Sequence, residues 1–197
     1  MSGRRSELLA LAAEMFAERG FGQTTVRDIA DAAGILSGSL YHHFDSKESM
    51  VDEILRTFLD ELFGRYQEVV DAKLGPRATL DEIVVASFEA IDHRHAEVAI
   101  YQHESKHLAQ FERFSYLHDR NVEFRKLWTV LLEDGVRAGV FRADLDVDLV
   151  YRFIRDTVWV AVGWYRPGGA LSARAVAEQY LSILLDGIST RRRRTKK

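Results

Sequence analysis

The stretch TTVRDIADAAGILSGSLYHHFDSKESM, Thr24–Met50, decides the fold. Thr25 and Asp28 have the spacing of a capping box, in which side chain and backbone satisfy each other at the start of a helix. Ala33-Gly34-Ile35 then interrupts the helical pattern. Gly34 tolerates the left-handed backbone that a tight turn requires. A second short helix is predicted from Ser37 to about Phe44. Asp45 and Glu48 form another capping-box pair, opening a long helix that reaches about Ala72. Two short helices joined at a glycine predict a helix-turn-helix. Val26, Ile29, Ala30, Ala33, Ile35, Leu40 and Phe44 can pack its crossing, where the alanines permit close approach.

Helical periodicity governs the remainder. A helix over Arg4–Arg19 would bury Leu8, Leu11, Ala12, Met15 and Phe16, with Gly20 as its stop. K-L-G-P-R-A (Lys73–Ala78) breaks the pattern. Further helices are predicted over Thr79–Leu108 with a break near His95, over Phe111–Ala138, over Val147–Tyr165 and over Ala173–Ser189, the last capped by Ser172. Proline occurs only at Pro76 and Pro167, and strand-like alternation is scarce. The fold class is therefore all-α. A helix-turn-helix module (1–46) precedes a larger helical body (47–190), and a basic, disordered tail follows (191–197).

Composition narrows the classes of function. The chain has 197 residues and no cysteine, which removes disulfides, thiolate metal sites and cysteine nucleophiles and suits a reducing cytoplasm. No apolar run is long enough to span a bilayer, so no membrane partner is expected. The net charge of −3 is uneven: RRRRTKK at the C-terminus carries six cations, leaving 21 cations against 30 anions, a net −9, on the other 190 residues. An acidic body binds DNA weakly by charge alone, so a DNA-binding chain of this kind needs a local site.

S-G-S-L-Y-H-H-F supplies one. It has no carboxylate, and its outer face offers Ser37, Ser39, Tyr41, His42 and His43, with Gly38 between the serines. Such a helix enters a DNA major groove without repelling phosphates. Arg27 and Lys47 stand at the starts of the flanking helices, placed for backbone phosphates, and Thr25 joins them at the first helix start. The same pattern also describes a polar surface helix in a protein that never meets DNA. Ser37, Ser39 and His42 are the candidates for base edges; Tyr41, His43 and Lys47 are the candidates for phosphates.

T-T-V-R-D-I-A, A-A-G-I, G-S-L-Y-H-H-F and S-K-E together resemble the DNA-binding signature of the TetR family of transcriptional regulators. The resemblance implies a homodimer on double-stranded, palindromic operator DNA, with a divergent body that takes a small-molecule effector. "RFSYLHDRN" and "FRADLDVDLVYRFIRDTVWVAVGWYRPGG" are similar to members of the family that control sterol-ring degradation in actinobacteria. That likeness implies repression relieved by an acyl-CoA thioester of a partly degraded sterol. No resident cofactor is expected.

In the body, Arg152 and Arg155 sit among apolar residues. Arg155 and Trp159 are one turn apart, so guanidinium and indole can stack. A half-buried arginine needs an anionic partner, which Asp156 supplies or a ligand brings. An effector's rings would lie against Trp159, Trp128, Phe124 and Phe88, with Arg120, Asn121 and Arg125 as further polar contacts. V-W-V-A-V-G-W-Y (Val158–Tyr165) is apolar all round. Val160 and Trp164, with Tyr180, Leu181, Leu184 and Ile188 of the last helix, are the candidate dimer interface. Packing within one chain is the alternative.

One motif points elsewhere. Y-Q-H-E-S-K-H contains H-E-x-x-H at His103, Glu104 and His107, the spacing of a helical zinc site with an adjacent base. Lys106 would place an ammonium beside the metal, and Glu123 is a candidate third ligand by distance that nothing about its neighbours marks. A metal site is not expected, and the chain is read as a regulator, not an enzyme. A zinc hydrolase and a DNA-binding protein without a ligand are the competing readings.

Overall fold

The computed structural model describes residues 3–188. The basic tail predicted at 191–197 lies outside the described residues. The described chain is built of helices: α1 (Gly3–Arg19), α2 (Val26–Ala32), α3 (Ser37–Tyr41), α4 (Lys47–Asp71), α5 (Pro76–His93), α6 (His95–Leu108), α7 (Tyr116–Arg137), α8 (Val147–Trp159) and α9 (Ala173–Ile188).

Local chemistry sets most boundaries. Thr25 and Asp28 form the capping box expected of them. Gly34 has φ +66°, the left-handed turn between α2 and α3. The cap of α4 differs from expectation. Ser46 and Ser49 exchange backbone-to-hydroxyl bonds of 3.2 and 3.1 Å, one residue beyond the predicted Asp45–Glu48 pair. α5 begins at Pro76, where a missing N–H costs nothing because first-turn amides have no helical partner. α8 ends at Trp159 and tightens into a 3-10 turn over Val160–Gly163, where one helix to Tyr165 was predicted.

The chain divides into two compact units that do not follow sequence order: Met1–Glu61 with Arg94–Arg120, and Leu62–His93 with the chain from Asn121. In the first unit α1 packs on α2 and α6, and α2 on α3. Its core includes Leu8, Ala12, Phe16, Ile29, Leu40 and Leu55, all but inaccessible to solvent. In the second unit α5 packs against α8 and α9. There the buried hydroxyls of Tyr66 and Ser87 bond to each other, and Ser87 donates to the Ile83 carbonyl at 2.8 Å. Burial raises the Tyr66 pKa, so the phenol stays neutral.

Candidate functional site

The outward surface of α2–α3 is polar apart from Leu36. Tyr41 is 55% exposed, and Ser39, Gly38 and His42 are also exposed; Ser37 and His43 are half-buried. Leu40 and Phe44 anchor the helix from beneath. Arg27 extends into solvent and meets Asp31 only loosely, at 3.7 Å. These side chains lie within one compact unit. Leu36 was missed. It is an apolar residue, 81% exposed, at the entrance to α3. Its exposure follows from tertiary packing and has no signal in periodicity.

Interactions from α1 and α4 hold the module. Arg4 donates to the Ala33 carbonyl at 3.0 Å. Arg5 pairs with Glu53 and lies 4.5 Å from the Phe44 ring centroid. Lys47 donates to the carbonyls of Phe21 (2.8 Å) and Thr24 (3.1 Å) and sits 4.3 Å from the Phe21 ring. Two of its three N–H donors are thus engaged within the protein, a structural task beyond the predicted phosphate contact.

The zinc-like motif resolves into a different interaction. Glu104 of α6 accepts the Phe21 backbone N–H at 3.1 Å. Phe21 is therefore gripped at its amide by α6 and at its carbonyl by α4. His107 packs edge-on to Phe111, ring centroids 5.5 Å apart. His103 is exposed.

The body places the predicted effector residues unevenly. Phe124 and Trp128 are buried and pack edge-on around Tyr66, at 5.7 and 6.0 Å. Phe88 is buried against Tyr180 at 6.0 Å. All three are core residues in this structure. Arg120 pairs with Asp60 in the first unit, and Asn121 is exposed. Arg125 bonds Asp148 at 2.8 Å and lines a polar pocket of about 390 Å³. Arg152 is exposed. Arg155 is half-exposed and bonds Asp156 at 2.7 Å, the internal partner anticipated for it. The aromatic ring near its guanidinium is that of Tyr151, at 5.8 Å, in place of the predicted stacking on Trp159. Trp159 is half-buried.

A pocket of about 600 Å³ was not foreseen. It is lined by Phe63, Gln67 and Val70 of α4, Thr79 of α5, and Leu127, Val130 and Leu131 of α7. Lys73 stands at its edge with φ +52°. None of the predicted effector residues lines it. The K-L-G-P break that forms its rim was legible; the gap between packed helices was not.

The expected dimer surface is also redistributed. Val160 (62%) and Trp164 (58%) are exposed, as a contact surface requires. Leu181 and Ile188 are buried within the chain on α9, which packs on α5. Tyr180 is half-buried and bonded to Thr157 at 3.0 Å, and Leu184 is half-buried. Phe153 (60%) and Ile183 (71%) extend the exposed apolar surface instead.

A glycine-turned pair of helices on an all-helical body defines a class of bacterial regulator. Residues 8–54 match the family model described as "Bacterial regulatory proteins, tetR family", and residues 73–188 match "Tetracyclin repressor-like, C-terminal domain". The chain belongs to the TetR family and is a helix-turn-helix transcriptional repressor. It is 66% identical, over 96% of its length and 93% of the relative's, to the HTH-type transcriptional repressor KstR2 of Rhodococcus jostii (strain RHA1). Its fold matches the ketosteroid transcriptional regulator KstR2 of Mycobacterium tuberculosis with a TM-score of 0.94 at 62% identity, covering 96% of this chain and 97% of that one. AibR, solved with isovaleryl coenzyme A and operator DNA, has the same fold: TM-score 0.81 at 22% identity, covering 92% of this chain and 98% of that one. No helix among the described residues is long and apolar enough to cross a membrane.

Proposed function

We propose that the chain represses as a homodimer on a palindromic operator and is released by an amphipathic anion, a coenzyme A thioester of a sterol catabolite. In each head, Ser37, Ser39 and His42 face base edges. Arg27, Tyr41, His43 and the remaining donor of Lys47 meet phosphates. Likeness to the KstR2 repressors supports a sterol-derived effector, and the AibR complex supports this fold's capacity to bind a coenzyme A thioester and operator DNA.

The observation that carries the reading lies on α8. Arg152 and Arg155 are exposed cations on α8, and the half-buried indole of Trp159 lies one helical turn from Arg155. Apolar surface beside guanidinium groups suits a ligand with rings at one end and phosphates at the other. The Arg155–Asp156 pair is solvent-accessible, so a phosphate can displace the carboxylate at small cost. Release requires the ligand to favour the conformation that binds DNA poorly; equal affinity for both would shift nothing.

The pocket of about 600 Å³ supports a second location, for a smaller apolar effector between α4, α5 and α7. Mobility shifts with coenzyme A thioesters separate the two. Arg155→Met and Trp159→Leu should bind operator normally and need about tenfold more ligand for release, the loss of roughly one charge-assisted contact in the first and one ring contact in the second. Leu127→Trp, which fills the other pocket, should release normally. The reverse pattern would move the effector to that pocket. Release unchanged in all three would reject both locations.

A further inference from the structure

We infer that Leu36 reads thymine methyl groups, as the apolar element of base recognition at the leading end of α3. The place before the first turn of a helix ordinarily holds Ser, Thr, Asp or Asn, whose side-chain oxygen accepts an otherwise unpaired backbone N–H. Thr25 caps α2, Ser46 caps α4, Asp146 caps α8 and Ser172 caps α9, while α6 follows Arg94 with no side-chain cap bond. α3 has only five residues and gains most from a cap, yet Leu36 occupies its cap position with no side-chain bond.

Leu36 is unfavourable twice over in the free protein. It omits a cap, and it leaves a large aliphatic group 81% exposed. The space beneath α3 is filled by Leu40, 1% exposed, and Phe44, 4% exposed, while Ile35 is half-buried. Leu36 therefore has its use in a bound state. It stands in the same segment as Ser37, Ser39 and Tyr41, the surface that faces DNA. In the major groove the apolar feature of base edges is the thymine C5 methyl, and an aliphatic side chain is its complement. The serines beside it supply hydrogen bonds that do not distinguish bases strongly, so an apolar contact adds discrimination they lack.

The inference rests on operator binding by α3, and the experiment keeps the two apart. The full-length protein selects its preferred duplex from a randomised library. That duplex is then made with deoxyuridine replacing each half-site thymidine in turn, which removes one methyl group and leaves the pairing edge unchanged. Wild type should lose about fourfold affinity per critical methyl, the burial value of one such group. Leu36→Ser should bind the parent duplex more weakly and no longer distinguish thymine from uracil. Because serine restores a cap, this variant should melt at or above the wild-type temperature, so misfolding is excluded as a cause. Leu36→Met, which keeps apolar reach, should retain the discrimination. Undiminished affinity in Leu36→Ser, or a wild-type thymine preference in that variant, would overturn the inference while leaving operator binding standing. A Leu36→Ser protein whose weakened binding tracks a change in oligomeric state would overturn it too, assigning the side chain to a second copy. If wild type selects no duplex, operator binding by α3 fails, and the role of Leu36 fails with it.

Discussion

Thr25 shows how much of the head depends on single hydroxyl and carboxylate groups. Its hydroxyl accepts the Asp28 N–H at 3.1 Å and donates to the Asp28 carboxylate at 2.6 Å, while its own N–H donates to the same carboxylate at 2.8 Å. The bond from the Thr25 side chain, then that from its backbone, holds the Asp28 carboxyl below the usual carboxylate range. Thr25→Ala should cost about 1 kcal/mol near neutral pH, lowering the melting temperature by roughly 2–4 °C. A folded-state pKa below the unfolded one gives stability that is present above the ordinary carboxylate pKa and lost as pH falls through the folded value. The deficit of Thr25→Ala should therefore narrow in acid, as paired melts at neutral and acidic pH will report. A constant deficit would assign the loss to the helix cap alone. Thr25 was legible because its partner is three residues away. The α4 cap was not: Asp45–Glu48 and Ser46–Ser49 both have the right spacing, offset by one residue, and local sequence gives no means of choosing between them.

At the scale of elements, α6 shows what local reading cannot supply. H-E-x-x-H is a statement about neighbours on one helix, whereas Glu104 acts on Phe21, 83 positions away in the chain. No local pattern encodes that pairing. The contact fixes the turn between α1 and α2, since a Cβ at Gly20, which has φ +86°, would come within 3.2 Å of the Glu104 carboxylate. Glu104→Ala strands a part-buried amide, at a cost of about 1–3 kcal/mol to the turn. Faster hydrogen exchange at Phe21 and weaker operator binding are expected. Glu104→Gln retains an acceptor oxygen and should stay close to wild type. Equal exchange in all three proteins would show that the turn is held by its other contacts, those of Lys47 and Thr24.

For the whole molecule, sequence was informative about helix count and the head, and poor at separating inward from outward faces of α8 and α9. Leu181, Ile183, Leu184 and Ile188 are all apolar, but Leu181 and Ile188 are buried while Ile183 is 71% exposed. Periodicity on a helix apolar around most of its circumference leaves the choice of face open. The Phe124, Trp128 and Phe88 rings were assigned to a ligand for the same reason: aromatic side chains serve cores and pockets alike, and only packing distinguishes them. If the exposed residues form the subunit contact, Phe153→Glu combined with Ile183→Glu should convert the dimer to monomer and abolish tight operator binding. Light scattering would give half the wild-type mass; an unchanged mass would place the contact elsewhere.

The interleaved path of the chain also bears on how such repressors can be recombined. The polypeptide leaves the head-bearing unit after Glu61, returns at Arg94 and departs again after Arg120. A chimera spliced once, beyond the second short helix, would join one relative's α1 to another's α6 and mismatch the surface where they pack. Grafting DNA specificity onto a foreign sensor therefore calls for transplanting the 94–120 segment along with the N-terminal helices.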